Sequence, residues 1–139
     1  MGSIFRTADA AGVEKIYLCG YTPTPLDRFN KPRKDLAKVA LGAELTVPWE
    51  HTKSLSVALK NVKAQGYTVA AVEQDKHSIP LFEYKAPEKL TLVFGNEVQG
   101  LTKNKLRHCD VILEIPMRGK KESLNVSVTA GIAIFRLLH

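Results

Sequence analysis

Apolar positions recur along this chain in two rhythms, one helical and one continuous, with polar or glycine-bearing breaks between them. In Ser3–Gly12, Ile4, Phe5, Ala8 and Ala11 fall on one side and Arg6 and Asp9 on the other, which predicts a short helix capped by Ser3 and stopped at Gly12. Lys15–Cys19 predicts a short strand and Gly20–Pro25 a loop. Residues 40–43 predict a turn and 46–49 a short strand or extended segment. Ser54–Ala64 is amphipathic, with Leu55, Ala58, Leu59 and Val62 on one face and Gly66 as its stop, and it feeds the β-rich run Tyr67–Val72. Gln74–Pro87 reads as a polar linker with Leu81, Phe82 and Tyr84 tucked onto the core. Leu90–Phe94 and Val111–Ile115 predict buried strands, Leu101–Arg107 a short helix between them, and Asn125–His139 a helix apolar on nearly every side.

A helix feeding a strand is half of a βαβ unit, so the expected fold class is α/β, with a parallel sheet. The runs Leu90–Phe94 and Val111–Ile115 each end abruptly in polar, glycine-bearing text, Gly95-Asn96-Glu97 and Pro116-Met117-Arg118-Gly119. Strands of this kind deliver loops to the carboxyl edge of a sheet, so two neighbouring loops are expected to form one pocket. The second loop runs through Gly119–Ser123 to a helix starting near Asn125, where backbone amides and a hydroxyl favour anionic or carboxylate groups. A helix apolar all round is buried in a core or a subunit contact, and in so small a chain a homodimer is the favoured reading.

Length predicts a single domain spanning residues 1–139. Twenty basic against fourteen acidic residues give a formal charge of +6, which suggests a polyanionic partner such as nucleic acid, against the plainer reading of a basic but non-binding surface. Arg28, Lys31, Arg33, Lys34 and Lys38 cluster against Asp27 and Asp35, either as a solvated helix face or as a phosphate-contacting patch. Cys19 and Cys109 have no paired spacing and are expected as reduced thiols in a cytoplasmic protein. The histidines show no ligand spacing with them, so no metal site is expected. No secretory pattern and no long apolar run occur, so neither signal peptide nor membrane span is expected.

Three blocks in order carry a family resemblance: Gly2–Ala8 with Ala11-Gly12, Phe94–Leu101, and Ile115-Pro116-Met117 through Glu122–Ser127. Lys38–Ala43 is similar to the linker of the same family. The chain resembles the SPOUT superfamily in its TrmH-type (SpoU) branch, which transfers methyl from S-adenosylmethionine to a ribose 2′-hydroxyl of tRNA or rRNA. That resemblance implies a parallel sheet with helices on both faces, a carboxyl-terminal trefoil knot, a homodimer, and RNA as partner, with tRNA the first expectation. It implies that Leu92, Phe94, Gly95, Asn96 and Gly100 bind the cofactor from one loop, and Ile115, Met117, Ser123 and Leu124 from the other. Gly95 would let backbone approach the cofactor because no Cβ intrudes. For Ile115, Met117 and Leu124 the plainer reading is core packing.

Catalytic roles are implied for Arg6, Glu97, Ser123 and Asn125. Arg6 would bind the adjacent phosphate and stabilise the developing alkoxide, with the proton acceptor left open between that phosphate and Arg6 itself. Without the resemblance Arg6 is a solvated surface residue, Glu97 a solvated cap, and Ser123 and Asn125 helix caps. The family pattern starts with a strand and an asparagine ahead of the glycine matched by Gly2, whereas Met1 stands there in this chain. The alternative expectation is therefore a non-catalytic or truncated SPOUT domain that binds the cofactor or RNA, or a topology variant. A nucleotide-binding α/β domain lacks a GxGxxG or P-loop sequence to support it.

Overall fold

The structure, a computed structural model, describes residues 1–96 and 100–139. Its contacts gather into two compact units, Met1–Ala58 and Leu59–His139. Among the described residues all pairings between strands are parallel, as the sequence predicts, and they form a two-stranded and a four-stranded sheet.

In the first unit, helix α1 (Gly2–Ala11) buries Gly2, Phe5, Ala8 and Ala11, the face the spacing marks out. Its cap lies two residues earlier than predicted. Met1 takes the cap position without a side-chain bond, its carbonyl accepting from the amides of Ile4 and Phe5, so Ser3 lies inside the helix and is not its cap. Gly12 ends the helix in the left-handed conformation at φ 81°, returning its N–H to the carbonyls of Ala8 and Asp9. Strand β1 (Ile16–Cys19) runs parallel to β2 (Trp49–Thr52), and between them lie α2 (Lys34–Ala40) and the single turn α3 (Ala43–Thr46); the expected turn falls at 41–42, α3 was not expected, and of the segment expected as extended at 46–49 only Trp49 is strand. A Cβ on Gly2 would stand 2.6 Å from the Leu36 carbonyl oxygen, so α1 approaches α2 at a distance only glycine allows. Phe5, Ala8, Leu18, Leu36, Ala40, Ala43 and Val47 make this unit's core.

The chain passes to the second unit within α4 (Leu55–Ala64), and Gly66 at φ 88° turns it into β3 (Thr68–Val72). The predicted linker holds a two-residue strand, β4 (Ile79–Pro80), and a 3-10 turn at Leu81–Glu83. That turn buries Leu81 and leaves Phe82 48% exposed, so Phe82 is not tucked down as expected. The Phe82 carbonyl accepts from the Arg136 guanidinium at 2.7 Å. Then follow β5 (Leu90–Phe94), α5 (Lys103–Leu106), β6 (Val111–Glu114) and α6 (Val126–Leu138), with strand order β4-β6-β3-β5. Asp110 fixes the start of β3 twice, accepting from the Val69 amide at 2.7 Å and donating its own amide to the Val69 carbonyl at 2.8 Å. Ala70, Val72, Leu81, Leu113, Ala133 and Leu137 form the core here. Helix α6 is apolar all round but buries only one side, Ala130, Ala133, Ile134 and Leu137, while Val128 and Leu138 are each 50% exposed.

Candidate active site

Because β3 pairs in parallel with β5 on one side and β6 on the other, the loops after all three emerge at the same edge. The two loops expected to be neighbours are separated by the end of β3. A cavity of about 690 Å³ opens there, floored by Val72–Asp75 and walled by Phe94–Asn96, Gly100 and Leu101 on one side and by Ile115, Met117 and residues 122–126 on the other.

Of the residues expected to bind a cofactor, Phe94, Gly95, Asn96, Gly100, Ile115, Met117, Ser123 and Leu124 all line this cavity. Leu92 does not line it. It lies two residues below the edge, opposite Ala70, and packs against the core. Of the residues expected in catalysis, Ser123 and Asn125 line the same cavity, while Arg6 is exposed on α1 in the first unit. Glu97 lies outside the described residues.

The wall after β5 is shaped chiefly by backbone. Asn96 and Gly100 bridge, with the Gly100 amide donating to the Asn96 carbonyl at 3.0 Å. A Cβ on Gly95 would meet the Gly100 carbonyl carbon at 2.4 Å and the Leu101 nitrogen at 2.6 Å. Glycine is thus required at 95 by the chain's own closure, a reason different from the close approach of a cofactor. Gly100 is left-handed at φ 61°, and a Cβ there would fall 2.6 Å from a Glu73 carboxylate oxygen.

Glu73 itself, at the end of β3, accepts from the Leu101 amide at 3.0 Å and from the Gln74 amide at 3.2 Å, and so ties the floor of the cavity to the wall. Sequence reasoning passed over it, because Glu73 falls between the run that ends at Val72 and the linker that begins at Gln74. The available signal was a third apolar run ending in polar residues, like the other two. Across the cavity, Asn125 caps α6, its side-chain oxygen accepting from the Ser127 amide at 2.9 Å and the Ser127 hydroxyl at 2.6 Å. Ser123 is exposed ahead of that cap. Glu73, Asp75, Glu114 and Glu122 line the cavity against Lys103, a lining that attracts cationic ligand groups and disfavours anions. Glu114 is held by the Ser78 hydroxyl at 2.8 Å.

Known proteins agree with this architecture. The SpoU rRNA Methylase family matches residues 1–135. The 23S rRNA (guanosine-2′-O-)-methyltransferase RlmB of Neisseria meningitidis is 34% identical over 134 residues, covering 96% of this chain and 51% of the relative. RlmB of Salmonella typhi is 33% identical over 140 residues, 100% of this chain and 54% of its own. The chain therefore spans about half the length of the curated relatives it matches. Among solved structures, the TrmH/SpoU tRNA modifying enzyme of A. aeolicus superposes with a TM-score of 0.83 at 28% identity, covering 99% of this chain and 66% of that one. The AdoMet-bound rRNA methyltransferase of Sinorhizobium meliloti gives a TM-score of 0.84 at 28% identity, with 97% and 49% covered. A match that runs through both units, joined to strands and loops arranged as in these SPOUT structures, places the chain in the SpoU rRNA methylase family.

Proposed function

We propose that the chain carries the catalytic domain of an S-adenosylmethionine-dependent RNA ribose 2′-O-methyltransferase. The observation that carries this reading is the cavity at the carboxyl edge, lined by nearly all the residues matched to the family's cofactor loops. Its size falls within the roughly 300–1,000 Å³ of small-molecule sites. Its chemistry also fits. Phe94, Ile115, Met117 and Leu124 offer apolar faces to an adenine, and Glu73, Asp75 and Glu122 suit the sulfonium, ammonium and ribose hydroxyl groups of the cofactor.

When bound, S-adenosylmethionine supplies an electrophilic methyl group. The chain's residues must then hold the ribose oxygen in line with it, and orientation of this kind provides much of the rate. We assign Arg6 to the phosphate beside the reacting ribose and to the charge that develops on the oxygen, since a guanidinium offers bidentate bonds and cannot take a proton while it stays charged; the hydroxyl proton goes to that phosphate, or to Arg6 where it has first lost its own. Asn125, Ser123 and Glu97 are assigned to positioning substrate and arginine. Titration calorimetry with S-adenosylmethionine should show saturable binding, and Arg6→Lys should keep that binding while losing methyl transfer. Full turnover in Arg6→Lys would overturn the assignment of Arg6.

The finer substrate is proposed as structured RNA presenting an accessible ribose. Transfer RNA is the substrate first expected from the family resemblance, and ribosomal RNA is supported by the names of the curated relatives. Methyl transfer to purified tRNA set against 23S rRNA separates the two. A homodimer is supported by the apolar residues that α6 leaves exposed, Val128, Phe135 and Leu138, and mass in solution tests it.

A further inference from the structure

We infer that the segment joining β1 to α2, residues 20–33, is a contact site for unpaired RNA nucleotides in which the rings of Tyr21 and Phe29 serve as stacking faces. The inference rests on RNA being the substrate and says which surface of the first unit would grip it.

The segment is held in shape by its own bonds. The Thr22 hydroxyl donates to the Cys19 carbonyl at 2.7 Å and that of Thr24 to the Leu26 carbonyl at 2.6 Å. Leu26 and Pro32 form an antiparallel bridge, closed at its tip by one Asp27 carboxylate oxygen that accepts from the amides of Phe29 at 2.8 Å and Lys31 at 3.0 Å. Asn30 takes the left-handed turn position at φ 61°, and the Arg33 amide returns to the Pro25 carbonyl at 2.8 Å. Pro25 is buried beneath this frame.

What the frame holds out to solvent is unusual. Tyr21 is fully exposed, at 106% of its reference area, and Phe29 is 67% exposed, although both rings lose hydrophobic stabilisation there. The Arg28 guanidinium lies 4.9 Å from the centre of the Phe29 ring. Lys31, Lys34 and Lys38 are exposed alongside in sequence, while the nearby acids are engaged, Asp27 with backbone amides and Asp35 with Arg33 at 2.9 Å. Aromatic rings interleaved with cations are how proteins grip unpaired RNA, the rings and guanidinium planes stacking on bases and the charges following the phosphates. Phosphate attraction alone would need the cations and not the rings.

The test is fluorescence anisotropy of the whole chain with a short fluorescein-labelled oligoadenylate and, in parallel, a blunt RNA duplex across a salt series. Tyr21→Ala and Phe29→Ala should each weaken oligoadenylate binding about tenfold. Neither should change duplex binding, the salt slope, the melting temperature or S-adenosylmethionine affinity, and Phe29→Tyr should restore the loss. Arg28→Ala should instead lower the salt slope by about 0.7. Unchanged oligoadenylate affinity in both aromatic variants, with the wild type binding RNA, overturns the stacking site and leaves the methyltransferase reading standing. A wild type that binds S-adenosylmethionine but no RNA overturns the substrate reading and the site with it. A change of mass in solution on Phe29→Ala at constant RNA affinity makes the tip a contact between copies and overturns the proposal too.

Discussion

Gly95 is the residue on which the cavity wall after β5 turns, and Gly95→Ala tests that wall with a single methyl group. The added Cβ would lie 2.4 Å from the Gly100 carbonyl carbon, 2.6 Å from the Leu101 nitrogen and 2.7 Å from the Gly100 Cα. Comfortable carbon contacts are about 3.5–4.0 Å, so the overlap is about 1 Å against three atoms. All three belong to the backbone, and no side-chain rotation relieves them. The 100–101 segment has to withdraw, which loosens either the Asn96–Gly100 bridge or the bond from the Leu101 amide to Glu73 at 3.0 Å. Overpacking of this kind costs about 1–3 kcal/mol, and a hydrogen bond to a charged group is worth about 1.5–3 kcal/mol.

These two losses are alternatives, because the loop opens to escape the clash. A net cost of about 2 kcal/mol then appears mainly in cofactor binding, as about a thirtyfold weaker Kd, with a smaller fall in melting temperature. Titration calorimetry reads the first and scanning calorimetry the second. Gly119→Ala is the matched control. It also lies in a pocket loop, but its Cβ would meet nothing within 4 Å and its φ is ordinary, so stability should hold within about 0.5 kcal/mol and binding should not change. A Gly95→Ala chain that binds and melts like wild type would refute the backbone contact. Equal damage from Gly119→Ala would attribute the effect to loop stiffness instead.

Glu73→Ala frees the Leu101 amide and should weaken S-adenosylmethionine binding about tenfold, corresponding to about 1.4 kcal/mol, while Glu73→Gln, which keeps an acceptor, should lose less. Equal losses in the two variants would argue against the hydrogen bond. Burial raises the Cys109 thiol above its ordinary value, and Asp110 adds to the rise while Lys63 opposes it. Its iodoacetamide alkylation, followed by peptide mapping, should accelerate only at higher pH than a free thiol's, and a profile at or below the free thiol's would refute this. The same shift stabilises the fold below the ordinary thiol value and is lost as pH rises, because the unfolded chain ionises first. Asn125→Ala should cost about 1 kcal/mol as a lost cap, whereas Asn125→Asp keeps the cap and the melting temperature. If Asn125→Asp keeps full methyl transfer as well, the amide has no catalytic role.

The elements with many residues in rhythm were readable from sequence. Strand β5 begins and ends where the apolar run does, and α4 and α6 differ from expectation by a single residue at most ends. Among the short elements, β1, α5 and β6 were readable too, whereas α3 and β4 were not. Ala43–Thr46 is too short to show a helical period, and its turn depends on Gly42 at φ 91°. Ile79–Pro80 is a strand only because β6 lies beside it. Much of the candidate site was legible because its residues carry a family pattern. The part that was not, Glu73, works through a backbone amide 28 positions away, and no local pattern encodes such a partner. Gly95 was singled out for the approach of a cofactor, whereas the neighbour that demands glycine there becomes visible only once Gly100 and Leu101 fold back onto it.

Charge is divided in this chain in a way its total conceals. The net value of +6 suggests a surface for polyanions, yet among the described residues the cavity is lined by Glu73, Asp75, Glu114 and Glu122 against one lysine, Lys103. Carboxylates in such number attract a sulfonium or ammonium and repel phosphate. A cofactor with cationic groups and a polyanionic substrate therefore make opposite electrostatic demands, and the proposed reaction needs both. The division has a measurable consequence. Affinity for RNA should fall steeply with salt, because phosphate contacts displace counterions, while affinity for S-adenosylmethionine should change little. RNA held by basic surface outside the cavity would then enter it with little more than the ribose that reacts, since every further phosphate drawn in would meet the carboxylates.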